Sequence, residues 1–72
     1  MDLFEIDETR HLRREEAAAQ LRALADSLAR NNSIGFVRDG RQITVRVPDE
    51  VDLTIEVEVG DDGGELEIEL NW

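Results

Sequence analysis

The stretch LTIEVEVGDDGGELEIELNW, residues 53–72, decides how this chain folds. Leu53, Ile55, Val57 and Val59 alternate with Thr54, Glu56 and Glu58. After a turn at Gly60-Asp61-Asp62-Gly63-Gly64, Leu66, Ile68, Leu70 and Trp72 alternate with Glu65, Glu67, Glu69 and Asn71. Successive side chains of a strand point to opposite faces, so a period of two describes two strands, each apolar on one face and acidic on the other. Joined as an antiparallel hairpin with their apolar faces together, the odd positions of the first strand share a face with the even positions of the second. Trp72 is then expected to be the last core residue. Glu56 and Glu58 are expected to stand across from two of Glu65, Glu67 and Glu69, and like charges placed so destabilise a sheet.

The same period runs upstream. Ile34 and Phe36 mark a strand, and Ile43, Val45 and Val47 mark the next. Asp39-Gly40 between them is a two-residue hairpin turn, which places Arg38 opposite Arg41 and Phe36 opposite Ile43. Pro48-Asp49-Glu50 is read as a second hairpin turn, pairing Val45 with Leu53 and Arg46 with Asp52. Residues 3–7, in which Phe4 and Ile6 alternate with Glu5 and Asp7, are read as a further strand.

Between that segment and Ile34 the period changes to 3.6. Ala17, Leu21, Leu24 and Leu28 recur along one helical face over about residues 13–30, with Ala18 and Ala25 beside them. Leu12 and Arg13 offer no capping side chain. Glu15 and Glu16 favour the first turn through the helix dipole, and Asn31-Asn32 is read as the stop, since Asn tolerates the left-handed conformation. The expected class is therefore α+β: one helix packed on an antiparallel β-sheet in the order β-α-β-β-β-β, within a single domain spanning residues 1–72. Phe36, Leu21, Leu24, Leu28 and Trp72 are its expected structural residues.

The width of that sheet raises a packing problem. Five strands at about 4.8 Å span roughly 20 Å, while a helix with its side chains is only about 10 to 12 Å wide. Either the sheet coils around the helix or a second copy of the chain covers the remainder, and the homodimer is the preferred solution. A chain of 72 residues buries only about 60% of its unfolded surface. With no Cys, neither a disulfide nor a thiolate zinc site can supplement the core.

Charge is divided unevenly. Residues 1–46 hold all 8 basic side chains, every one Arg, and eight acids, so residues 47–72, with ten acids and no base, carry the whole net charge of −10. Such a surface repels nucleic acid and anionic membrane, and neither is expected as a partner. An acidic start and the lack of a long apolar run are read as a cytoplasmic protein. Acid-rich, Lys-poor chains also suit concentrated salt, in which repulsion is screened to about 3 Å at 1 M.

The inventory for chemistry is thin. There is one His and no Cys, Tyr or Lys, so a nucleophile and its base would have to combine His11 with Thr9, Ser27, Ser33, Thr44 or Thr54. His11 sits in a charged stretch and is read as solvated; no enzyme is expected. The glycines of the DDGG turn lie between strands rather than before a helix, the wrong context for a phosphate loop. Asp61, Asp62 and Glu65 supply oxygen ligands without the spacing of a calcium loop, so neither a metal site nor a cofactor is expected.

With these pieces placed, the chain resembles the amphi-Trp domain family along almost its whole length. The resemblance is carried by LFEIDE, RHLRREEAAAQLRALADSLA, VPDEVDLTIEVEV and the terminal ELEIELNW. It implies a small domain of alternating amphipathic strands with a Trp at the end, and it implies a fold rather than an activity. Family members often carry Ser or Thr just before the helix start, where this chain has Arg13, which leaves Thr9 as a candidate cap.

Two functional expectations follow. The first is a non-enzymatic interaction module, a homo-oligomer whose acidic face, Glu56, Glu58, Glu65, Glu67 and Glu69, docks a basic protein. The alternative is a ligand or cation carrier that uses the acidic turn and an apolar cleft beside the helix, near Phe36 and Trp72. The acids fit two causes, a docking surface or salt adaptation with resistance to edge-to-edge aggregation. Arg10, Arg13 and Arg14 near the helix start, and Arg38, Arg41 and Arg46 around the first hairpin, are read as solvated or locally paired, or as contacts for a second subunit.

Overall fold

A computed structural model describes residues 7–72. One helix, α1 (Arg14–Arg30), is followed by four strands, β1 (Ser33–Arg38), β2 (Arg41–Arg46), β3 (Asp52–Val59) and β4 (Gly64–Asn71). The class is α+β with antiparallel strands. The strand expected at residues 3–7 lies outside the described residues except for Asp7, which is irregular.

Helix α1 begins where the acids make it begin. Glu16 accepts a hydrogen bond on Oε1 from the backbone N–H of Arg13 at 3.2 Å, so the third helical residue satisfies the N-cap N–H, which is the acidic half of a capping box whose Ser or Thr half Arg13 cannot supply. Thr9 takes no part in this contact. At the other end Asn31 is extended (φ −132°, ψ 157°) rather than left-handed, and its N–H donates to the carbonyl of Ser27 at 2.9 Å. The chain thus leaves the helix directly into a strand. Val47 N–H, donating to the Asn32 carbonyl at 2.7 Å, ties that exit to the end of β2.

Strands β1 and β2 pair as the turn chemistry requires, with Ile34 opposite Val45, Phe36 opposite Ile43 and Arg38 opposite Arg41. Both turn residues have positive φ, Asp39 at 52° and Gly40 at 75°, the conformation of the hairpin turn whose twist matches the flanking strands. The second hairpin pairs Leu53 with Leu70, Ile55 with Ile68 and Val57 with Leu66, and Gly60 N–H donates to the Gly63 carbonyl at 2.8 Å across its turn.

The expected continuous meander does not form. The strands make two separate two-stranded sheets, and β2 does not pair with β3, so Val45 meets Ile34 rather than Leu53, and Asp52 lies opposite Asn71 rather than Arg46. Five residues separate β2 from β3, with Pro48 lacking an N–H to donate, and this segment carries the chain away from the β2 edge. Among the described residues α1 packs against β1, while the second hairpin stays apart from the helix and the first hairpin except where Leu70 borders one cavity with Leu28 and Val47.

The core is correspondingly small. Ile34 and Val47 are buried, with Leu28, Ile43, Val45 and Leu70 half-buried around them. The radius of gyration is 14.2 Å, against about 11 Å for a compact domain of this length.

Candidate interaction surface

The β3–β4 hairpin has two unlike faces, and both are open. Its register sets Glu56 directly across from Glu67, Glu58 from Glu65 and Thr54 from Glu69. The five glutamates expected to share a face therefore do so, and Asp52 joins them opposite Asn71. Asp52 was missed because it was assigned an Arg46 partner in the meander. Asn71 Nδ2 donates to Glu69 Oε1 at 3.1 Å, a short link along the strand.

The charges along β4 interact. Glu67 is held above the ordinary carboxylate pKa first because a protonated Glu67 shares a hydrogen bond with Glu65, and then because the negative charges of Glu65 and Glu69 flank it. Positions two apart in a strand lie about 6.6 Å from each other on one face, close enough for both effects.

No arginine neutralises this face among the described residues. The ion pairs are local to the other half of the chain: Arg10 with Glu8 at 3.4 Å, Arg14 with Glu15 at 3.8 Å, Arg30 with Asp26 at 3.9 Å and Arg38 with Asp39 at 4.0 Å. All involve exposed side chains, where such pairs contribute about 0 to 1 kcal/mol.

The opposite face carries Leu53, Ile55, Val57, Val59, Leu66 and Ile68, each more than half exposed. Trp72 departs from its expected place. It lies one residue beyond β4, is 61% exposed, and borders a shallow depression with Asp49, Glu50, Val51, Asp52 and Asn71. Alternation assigns Trp72 to the apolar face, but burial needs a covering element, and no described element covers it.

The remaining expected structural residues lie elsewhere. Leu21, Leu24 and Phe36 border a cleft between α1 and β1 together with Ile34 and Ser27, whereas Leu28 sits near Val47 and Leu70. Phe36 and Trp72 are therefore not neighbours in one cleft. Among the described residues no cluster of His, Asp or Glu is arranged to hold a metal ion, and no helix is long and apolar enough to cross a membrane.

No curated protein and no solved structure matches the chain. The family model of the Amphi-Trp domain matches residues 1–72, the whole length, and the chain belongs to that family.

Proposed function

We propose that the protein is a non-enzymatic interaction module whose β3–β4 hairpin docks a basic protein through Asp52, Glu56, Glu58, Glu65, Glu67 and Glu69. The observation that supports this reading is the position of those carboxylates: they share one exposed face, and among the described residues none is paired with an arginine. A face that pays like-charge repulsion in isolation gains most when cationic side chains meet it. Such complementarity speeds encounter and sets orientation more than it raises affinity. The net charge of −10 also suits concentrated salt, and in a cytoplasm of that kind the docking would rest on close pairs rather than on long-range attraction.

The test compares the wild type with Glu56→Gln, Glu58→Gln, Glu67→Gln and Glu69→Gln combined. Proteins captured from native extract at matched salt are purified, and their affinities are measured for both forms. The reading expects binding to weaken at least about tenfold, with a smaller salt dependence, as removal of several close charge pairs implies. Equal affinities would assign the acids to solvation in salt instead.

A further inference from the structure

We infer that the apolar face of the β3–β4 hairpin is covered by the same face of a second copy of this chain, stacked sheet on sheet, so that the two acidic faces point outward on opposite sides. The inference concerns the face opposite the one proposed to dock a basic partner and stands on different residues.

The first support is area. The chain exposes 7036 Å², whereas a compact monomer of 8.2 kDa exposes about 4500 Å². The excess, roughly 2500 Å² over the whole chain and shared with Leu21, Leu24, Phe36 and Val37 elsewhere, leaves room for an interface of the standard 800 Å² or so per partner. Leu53, Ile55, Val57, Val59, Leu66 and Ile68 form a contiguous strip of that excess, with no polar side chain among them. Soluble monomers rarely leave such a strip open.

The second support is the shape of the face. Its central pairs, Ile55 with Ile68 and Val57 with Leu66, present similar branched side chains on both strands. A strip of like branched side chains, with no charge to oppose its own copy, suits the like-on-like contact that a two-fold dimer makes. Two such sheets pack about 10 Å apart with their strands near −30°, as in a sandwich.

The third support is charge, which selects the stacked geometry over its competitor. Among the described residues both β3 and β4 have an unpaired outer edge, which is where edge-to-edge joining of two copies would occur. It would place two glutamate rows on one side of a shared sheet, with neighbouring strands about 4.8 Å apart. Stacking instead separates the two carboxylate layers by about 20 Å, the sheet spacing plus an outward side chain on each side. That exceeds the Debye length of about 8 Å at physiological salt. Stacking alone covers the apolar strip and keeps the acids apart.

The test begins with the wild-type mass by sedimentation equilibrium from low to high micromolar concentration, at 0.15 M and 2 M salt. The expected result is a species of about 16 kDa, twice the chain mass, and Ile55→Glu or Ile68→Glu should return it to the single-chain mass with the helical circular dichroism retained. A monomeric wild type would overturn the inference, whether the face then closed on its own chain or sedimented with neutral phosphatidylcholine vesicles. So would a dimer unchanged by folded face variants. Should those variants unfold, the geometry is read from Glu67→Cys carrying a spin label, since the chain has no other Cys. Stacking places the two labels about 20 Å or more apart, and a separation of about 15 Å or less, the reach of edge-to-edge joining, would overturn it. The Glu-to-Gln variant used for the basic partner should keep the dimer mass, which separates failure of one reading from failure of the other.

Discussion

Glu56 stands directly across the β3–β4 ladder from Glu67, in the middle of a hairpin whose other face carries Ile55 opposite Ile68. Like charges at directly opposed positions weaken a sheet, and here no arginine lies against them among the described residues. The hairpin is thus held by its ladder hydrogen bonds and by whatever its apolar face gains, against a charge repulsion that salt reduces.

That repulsion has a pH signature. Glu67 binds its proton more readily in the folded chain than at its reference pKa of 4.5, so the folded state carries more protons than the unfolded state between the two values. Stability therefore falls as pH rises through that window and is greatest, for this group, below 4.5. Thermal unfolding followed from pH 7 down to 4.5 at low salt should show a rising midpoint from this contribution. Glu67→Gln should raise the midpoint at pH 7 and flatten the profile, with both effects shrinking at 1 M salt.

Trp72 gives a second measurable outcome. At 61% exposure its replacement by Ala should cost about 1 kcal/mol or less, rather than the 3 to 5 kcal/mol or so of a core Trp. Acrylamide should quench its fluorescence readily in the folded protein. As the chain has no other Trp, the signal is unambiguous.

The two hairpin turns should respond to Ala with opposite signs. Gly40 has a φ of 75°, so Gly40→Ala should destabilise by about 1 kcal/mol or more through backbone strain. Gly63 has no positive φ, and a Cβ there meets nothing within 4 Å, so Gly63→Ala should stabilise by about 0.4 to 1 kcal/mol by restricting the unfolded chain. Urea denaturation of the two variants checks both signs.

The small core concentrates its energy in few positions. Ile34, only 9% exposed, opposite Val45 of β2 and beside the cleft that Leu21 and Leu24 of α1 border, should cost about 2 kcal/mol or more when changed to Ala. The loss should appear together in the helical and strand signals, because Ile34 belongs to the strand on which α1 packs.

Much of the local structure was legible in the residues. The Asp39-Gly40 turn and the Phe36–Ile43 register follow from two-residue periodicity and turn chemistry, whereas for Glu56 and Glu58 periodicity leaves two registers open and the structure sets them across from Glu67 and Glu65. The helix end was less legible, because Asn31 was read as a left-handed stop and is an extended exit. The pairing of β2 with β3 was misread for a related reason. Parity was satisfied on both sides of Pro48-Asp49-Glu50, but matching parity permits a hairpin without requiring one, and these strands separate.

The sequence by itself determined which side chains share a face, roughly where α1 and β1 to β4 run, and that all the net charge sits after residue 46, because these are properties of short-range repeat and of composition. Only the tertiary structure decided which apolar faces meet. Among the described residues it placed α1 on β1, split the strands into two sheets, left the β3–β4 strip without a covering element and Trp72 largely exposed. Alternation states that a face is apolar, while burial depends on a second surface reaching it from far along the chain or from another molecule, and no local period encodes that encounter.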